Sequence, residues 1–121
     1  MTPTVLVVDD DPAFRRVVVR LLTMRGFDVV ADVADGESAL AAVRRLRPDG
    51  VLLDVNLPDR DGLSVTRELT ARSGGPSIVL TSMDALGDPE ATLAACGALA
   101  FVAKERLVET DLLRLFSPAG T

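Results

Sequence analysis

Short apolar runs alternate with longer stretches of mixed polarity along this chain. Each run has the length of a strand buried on both faces, and in most of the stretches that follow, apolar residues recur with a helical period. This alternation predicts βα units joined by right-handed crossovers, and therefore one parallel sheet. The second run is the most mixed in polarity, as expected of an edge strand. The predicted strands are 4–8, 28–33, 50–54, 77–81 and 98–103.

Proline, glycine and aspartate mark the ends of the predicted helices. Pro12 suits a first helical turn, Gly26 ends that helix, and Pro48 ends the second. Helices are predicted to begin near Pro12, Gly36, Gly62, Asp88 and Leu107. The last is expected to extend to residue 116, so one domain covers 1–116. Residues 117–121 are expected to form a tail or the start of a linker.

Composition narrows the function classes. The chain has 121 residues, 48% of them hydrophobic, which suits one globular domain with its own core. Its 13 basic and 18 acidic residues give a net charge of -5, and no basic cluster predicts direct nucleic-acid binding. Cys96 is the only cysteine, and neither a cationic-apolar leader nor a membrane-spanning run is seen. We therefore expect a cytoplasmic protein without membrane attachment.

Charged side chains follow three of the predicted strands. Asp9 and Asp10 follow the first, Asp54 ends the third, and Lys104 follows the fifth. The carboxyl ends of parallel strands share one edge of the sheet, where α/β proteins bind their ligands. Three carboxylates and one ammonium at that edge predict a site for a divalent cation together with an anion.

The residue types at this edge suit phosphoryl transfer. A carboxylate can attack phosphorus and form an acyl phosphate, so Asp54 is the candidate nucleophile. Mg²⁺ prefers oxygen ligands, and Asp9, Asp10 and Asp54 with the backbone carbonyl of Asn56 are the candidate ligands. Lys104 is the only lysine and is expected to contact the phosphoryl group, as is the hydroxyl of Thr81.

Four segments together resemble the receiver domain of two-component response regulators. They are VLVVDDDP, VLLDVNLPDRDG, IVLTS and FVAK, in this order, and the resemblance covers essentially the whole chain. It implies a flavodoxin-like, doubly wound (βα)₅ fold, an α/β sandwich with sheet order 2-1-3-4-5. The lysine is followed by a polar residue, which is more similar to receivers that precede helix-turn-helix output domains.

The resemblance also implies a role for each matching residue. Asp54 matches the phospho-acceptor, Asp9 and Asp10 match the acidic pair that holds Mg²⁺, and Asn56 matches the residue whose carbonyl binds the metal. Two further positions match the conformational switch: the hydroxyl of Thr81 and the aromatic ring of Phe101. Lys104 matches the lysine that pairs with the phosphate.

The function implied is a signalling switch that accepts a phosphoryl group from a sensor histidine kinase. It would alter the surface formed by helix 4, strand 5 and helix 5 and control transcription through a DNA-binding domain outside this chain. Homodimerisation on activation fits the same family. Such a protein catalyses only its own phosphorylation and dephosphorylation and is otherwise not an enzyme.

Two other functions remain open at this stage. The alternative is a phosphorylation-independent, receiver-like interaction module, although such modules commonly lack one of the acidic or lysine positions. The second is a phosphohydrolase with Asp54 as nucleophile. Such enzymes usually have a second carboxylate two residues later as general acid, and this chain has Asn56 there.

Two positions depart from common receiver patterns. Glu105 follows Lys104 where many receivers have proline, so we predict a trans peptide bond there, since a cis bond without proline costs about 3 kcal/mol. Met83, two residues after Thr81, is unable to orient a hydrolytic water. We therefore expect a long-lived phosphoryl group.

Overall fold

The computed structural model describes residues 2–116, in which five strands alternate with helices. The strands are β1 (Thr4–Val8), β2 (Asp28–Val33), β3 (Gly50–Asp54), β4 (Ser77–Ser82) and β5 (Ala100–Ala103). The helices are α1 (Pro12–Met24), α2 (Gly36–Leu46), α3 (Gly62–Thr70), α4 (Pro89–Cys96) and α5 (Leu112–Phe116), with a 3-10 helix at Lys104–Glu109. Neighbouring strands are parallel in the order β2-β1-β3-β4-β5, which confirms the predicted doubly wound fold and the edge position of β2.

Both faces of the sheet are covered by helices. Alternate residues of a strand point to opposite faces, so each central strand contributes to two core layers. Leu53 of β3 packs with residues of α2 and α3, whereas its neighbour Leu52 packs with residues of α1 and α5. This double burial explains why the central strands are apolar along their length and polar only where they end.

Aspartate carboxylates determine where four of the helices begin. Each accepts a backbone N–H from the first turn, which satisfies donors that have no partner inside the helix. The capping residues are Asp11 for α1, Asp35 for α2, Asp61 for α3 and Asp88 for α4. Part of the acidic character of the chain therefore has a local structural cause.

The predicted element boundaries hold for β1, β2 and β3 and differ toward the C-terminus. Strand β4 is one residue longer than predicted, and β5 begins at Ala100 rather than at residue 98. The single helix predicted over 107–116 is wrong. The first three of these residues belong to the 3-10 helix, and Thr110 has extended backbone angles. Helix α5 begins only at Leu112 and is five residues long.

The break before α5 has two visible causes. The guanidinium of Arg25 donates to the carbonyl oxygens of Leu107, Val108 and Thr110, so these oxygens are engaged from outside the segment. The side chain of Asp111 then accepts the N–H of Arg114 and starts a new helix.

Other predictions concern the backbone and the tail. The Lys104–Glu105 bond is trans as predicted, since residues 2–116 include no cis peptide bond. The tail predicted at 117–121 lies outside the described residues. Within 2–116, no helix has both the length and the apolar character that are required to cross a bilayer.

Candidate functional site

Asp54 is the last residue of β3 and lies at the carboxyl edge of the sheet. Its side chain is almost fully buried, at 6% exposure. Oδ1 accepts the backbone N–H of Asn56 at 3.0 Å, and Oδ2 lies 3.2 Å from Lys104 Nζ. The carboxylate is thus oriented by one local and one distant partner.

Asp9 and Asp10 follow β1, the strand next to β3. Asp9 is 1% exposed, and its Oδ1 accepts the N–H of Asp11 at 2.9 Å. Its Oδ2 makes a 2.7 Å ionic contact with Lys104 Nζ, at an angle outside the hydrogen-bond range. Asp10 is exposed, and one carboxylate oxygen each from Asp9, Asp10 and Asp54 lie within 4.8 Å of one another.

Lys104 connects the last strand to this acidic cluster. It follows β5 directly, and its side chain is 9% exposed. The ammonium contacts Asp9 and Asp54 and also lies 4.3 Å from the centre of the Phe14 ring. The structure therefore gathers the three carboxylates and the lysine that the sequence placed at this edge.

Charge and burial oppose each other in this cluster. Burial raises the pKa of the Asp54 carboxyl, and the nearby charge of Asp9 adds to this. The Asn56 N–H and the Lys104 ammonium oppose the rise, but the Asp54 pKa stays above its ordinary value. Burial alone would lower the pKa of Lys104, but its contacts with Asp9 and Asp54 outweigh burial, and the pKa is raised. A single ammonium therefore does not balance the negative charge.

The cluster fits a hard divalent cation. Three of the four candidate ligands, Asp9, Asp10 and Asp54, are carboxylates, the ligand type that Mg²⁺ prefers, and their oxygens are close enough to share one ion. Three carboxylates facing one ammonium leave an excess of negative charge that such a cation would neutralise. These residues of the chain can therefore hold a metal ion.

Thr81 stands beside Asp54 in the sheet, because the two residues are register partners across β3 and β4. It is 1% exposed, and among residues 2–116 its hydroxyl finds no hydrogen-bond partner. A buried hydroxyl without a partner is costly to the folded state. An oxygen-rich group attached to Asp54 would lie near this hydroxyl.

Asn56 and Phe101 are the two remaining predicted site residues. The Asn56 side-chain amide donates to Ser82 Oγ at 3.3 Å, while its backbone N–H holds Asp54. Phe101 is half-buried in β5, where it pairs with Leu80 and packs on the core layer shared with α2 and α3. Within residues 2–116, the hydrogen bonds and the ion pair of the Asp54 carboxylate are made with Asn56 and Lys104, and Phe101 has no part in them.

Gly62 allows α3 to start close to the end of β3. A methyl group on Gly62 would lie 2.5 Å from the carbonyl oxygen of Asp54 and 2.7 Å from the Cα of Val55. Only glycine permits this approach without a shift of the backbone. The loop between β3 and α3 is therefore held tightly behind the Asp54 carboxylate.

Sequence reasoning missed two residues next to the cluster. Ser82 is buried and accepts from Asn56 and from the N–H of Asp84. Its polarity directly after Thr81 was an available signal. No sequence signal shows that the ring of Phe14, the second such residue, faces a lysine ninety residues away in the chain.

Residues 5–114 match the family model of the response regulator receiver domain. The chain belongs to the response regulator receiver domain family. This receiver domain is 44% identical over 113 residues to the probable transcriptional regulatory protein TcrX of Mycobacterium tuberculosis, covering 93% of this chain and 47% of TcrX. It is 49% identical over 82 residues to the DNA-binding response regulator MtrA of Mycolicibacterium smegmatis, covering 68% of this chain and 36% of MtrA.

Solved structures agree on the fold of the receiver domain. A LuxR-family two-component response regulator from Aurantimonas sp. SI85-9A1 superposes with a TM-score of 0.79 at 29% identity, over 97% of this chain and 87% of that one. The chemotaxis response regulator CheY4 of Vibrio cholerae gives 0.79 at 26% identity, over 95% and 99%. The receiver domain spans less than half of the two curated relatives, whose names describe transcriptional or DNA-binding regulators.

Proposed function

We propose that Asp54 of this receiver domain accepts a phosphoryl group from a sensor histidine kinase in a Mg²⁺-dependent reaction. The observation that carries the proposal is the position of the Asp54 carboxylate, which is buried at the sheet edge, in contact with Lys104 and close to the carboxylates of Asp9 and Asp10. Membership of the receiver family supports the same reaction.

The chemistry is an in-line transfer between two side chains. A carboxylate oxygen of Asp54 attacks the phosphorus of the phosphohistidine; the new P–O bond forms as the P–N bond breaks. The histidine keeps the electrons of the P–N bond and takes a proton, and Asp54 becomes an acyl phosphate. Lys104 Nζ, already 3.2 Å from Asp54, stabilises the charge on the phosphoryl oxygens.

Four residues would hold the metal ion. They are Asp9, Asp10 and Asp54 through their carboxylates and Asn56 through its backbone carbonyl. When bound, Mg²⁺ supplies positive charge that offsets the repulsion between the carboxylates and the phosphoryl group. The backbone N–H of Asn56 keeps the Asp54 carboxylate in one orientation.

The conformational signal would start at Thr81. Its hydroxyl, which has no partner among residues 2–116, gains an acceptor when Asp54 carries a phosphoryl group, and this favours the state in which the hydroxyl faces that group. Reversing a population from 1:99 to 99:1 takes about 5.5 kcal/mol, so Thr81 and Lys104 would have to act together. Phe101 is the proposed aromatic switch that transmits the change to the surface of α4, β5 and α5.

The relatives support a proposal for the output of the switch. TcrX and MtrA are named as regulators of transcription or as DNA-binding proteins, and this chain matches less than half of each. The proposed output is transcription through a DNA-binding domain outside this chain. Homodimerisation on activation and a cytoplasmic location are further parts of the proposal. The chain would catalyse only its own phosphorylation and dephosphorylation.

The first test is the intact mass of the chain after incubation with acetyl phosphate and Mg²⁺. We expect a gain of one phosphoryl group, about 80 Da, that disappears in Asp54→Asn and when Mg²⁺ is removed. Asp28→Asn, an equal change of charge at the opposite end of the sheet, should keep the gain. Slow loss of the adduct would fit the exposed Met83.

Two results would overturn the proposal. A mass gain of the same size in Asp54→Asn would place the acceptor elsewhere. No gain with either acetyl phosphate or a cognate histidine kinase would favour the phosphorylation-independent interaction module.

A further inference from the structure

The Phe14 ring faces the ammonium of the lysine that the acidic cluster binds. Phe14 lies in the first turn of α1, half-buried, and packs on the core layer beneath that helix. Lys104 Nζ is 4.3 Å from the ring centre. The contact joins two segments that are ninety residues apart in the chain.

The geometry suits a cation–π interaction. The face of an aromatic ring carries partial negative charge, and a cation within about 6 Å of the ring centre is attracted to it. The attraction is strongest where water is excluded, and the Lys104 side chain is 9% exposed. The ammonium therefore has three stabilising neighbours: the carboxylates of Asp9 and Asp54, and the ring.

The two carboxylates by themselves do not define one position for the ammonium. Lys104 Nζ is closer to Asp9 Oδ2, at 2.7 Å, than to Asp54 Oδ2, at 3.2 Å. A lysine side chain is flexible along its four-carbon stem, so a third contact restricts where its head can lie. The ring supplies that contact from a fixed base, because Asp11 caps the start of α1.

We propose that Phe14 is a positioning residue for phosphoryl transfer, whose ring holds the Lys104 ammonium between Asp9 and Asp54. The proposal rests on the proposed role of Asp54. An ammonium that is already beside Asp54 does not have to be reoriented when the phosphoryl group arrives, and such preorganisation lowers the barrier. Phe14 acts through Lys104 and has no part in bond making.

Two substitutions of Phe14 separate the effect of the aromatic face from the effect of side-chain size. Phe14→Leu keeps an apolar side chain and removes the ring face, whereas Phe14→Tyr keeps the face. Phe116→Leu is the matched control, since Phe116 is another half-buried phenylalanine that packs on the same core layer and contacts the Phe27 ring. It loosens packing without touching Lys104.

The first readout is spectroscopic and needs no metal. Lys104 is the only lysine, so a chain labelled with ¹³C-lysine gives a single ε-methylene signal in NMR spectra. We expect an upfield ring-current shift and a nuclear Overhauser effect to the Phe14 ring protons in the unsubstituted chain. Both should persist in Phe14→Tyr and Phe116→Leu, and the ring-current shift should vanish in Phe14→Leu.

The second readout is the rate of phosphorylation by acetyl phosphate with Mg²⁺. We expect Phe14→Leu to lower it by about three- to thirtyfold, the range from a partly exposed to a desolvated cation–π contact, and Phe14→Tyr to restore it. Phe116→Leu should phosphorylate at close to the original rate.

The outcomes distinguish this inference from the proposed function. No adduct in the unsubstituted chain with either acetyl phosphate or a cognate histidine kinase, or an adduct that survives in Asp54→Asn, means that the proposed function fails. An Asp54-dependent adduct that forms equally fast in Phe14→Leu overturns only the positioning role. An unsubstituted chain without the Overhauser effect overturns the contact itself, and this measurement needs no variant to fold.

Discussion

Thr66 and Thr81 are both buried, but only one of their hydroxyls has a partner. Thr66 Oγ1 donates to the carbonyl of Gly62 at 2.8 Å. Thr81 Oγ1, at 1% residue exposure, has no partner within residues 2–116. Replacing each threonine by valine removes the hydroxyl and leaves a side chain of similar shape. The difference between the two variants in the free energy of unfolding therefore measures the cost of a buried hydroxyl without a partner.

We expect Thr81→Val to stabilise the unphosphorylated chain by about 1 kcal/mol, because it removes a buried hydroxyl whose desolvation no hydrogen bond compensates. Thr66→Val should destabilise it by about 1 kcal/mol, because a made hydrogen bond is lost. Urea unfolding followed by circular dichroism gives both free energies of unfolding. Equal destabilisation by the two substitutions would show that the Thr81 hydroxyl has a partner in solution.

Asp59 connects the loop behind Asp54 to the start of α2. Its two carboxylate oxygens accept the N–H groups of Gly36 at 2.8 Å and Glu37 at 3.0 Å. The bond from Gly36 is the main cause that lowers the pKa of Asp59 below its ordinary value. A lowered pKa means that the ionised form is preferred in the folded state.

The Asp59 contacts predict a difference in acid sensitivity. Stabilisation by ionised Asp59 is fully present above its ordinary pKa of 3.8 and is lost as the pH falls through the lowered folded-state pKa. The stability advantage of the original chain over Asp59→Asn should therefore be constant near neutral pH and shrink below about pH 4. Urea unfolding at several pH values checks this, and parallel stability curves down to pH 2 would contradict it.

At the scale of elements, the segment after β5 is stabilised by a side chain from α1. Arg25 follows α1 directly and donates to the carbonyl of Thr110 at 2.6 Å, as well as to those of Leu107 and Val108. These carbonyls lie at the end of the 3-10 helix, where few backbone donors are available; that of Leu107 also accepts the N–H of Thr110. The guanidinium thus determines the shape of the chain between Lys104 and α5.

We expect Arg25→Met to destabilise the chain by about 1–3 kcal/mol, since it keeps the apolar stem and removes hydrogen bonds from a charged donor. Arg20→Met is the matched control, because Arg20 is exposed on α1, the helix that Arg25 follows. This substitution should change the free energy of unfolding by less than about 0.5 kcal/mol. Urea unfolding by circular dichroism suits both, as the chain has no Trp or Tyr. Similar losses in the two variants would argue against the Arg25 contacts.

At the scale of the whole molecule, the core layer beneath α1 and α5 depends on the last helix. Leu112 is fully buried, and the Phe116 ring packs edge-on against Phe27 with centroids 5.6 Å apart. We propose that the folded unit ends with α5.

Truncation tests this limit. A chain ending at Phe116 should unfold within about 0.5 kcal/mol of the full sequence, because it keeps both contacts. A chain ending at Asp111 loses them and should be less stable by about 4 kcal/mol or more, or fail to fold. Equal losses in the two truncated chains would place the limit of the domain beyond Phe116.

The fold was predictable because its signals are local. Strands and helix ends are specified by residues close together in the chain: apolar runs of strand length, Pro12 at a helix start, and glycine or aspartate between elements. These signals predict all five strands. Helix 107–116 was the failure, because its apolar spacing is helical while its carbonyls are bound by Arg25, up to 85 residues away. Local pattern contains no information about such a distant donor.

The sequence by itself determined which charged residues meet, since buried parallel strands can carry polar groups only where they end, and those ends share one edge. It thereby placed Asp9, Asp10, Asp54 and Lys104 at one site. Only the tertiary structure decided how Lys104 is shared between Asp9 and Asp54, and that Phe14 faces its ammonium. The physical reason is that these contacts depend on how helices and strands from distant parts of the chain pack, to within an ångström.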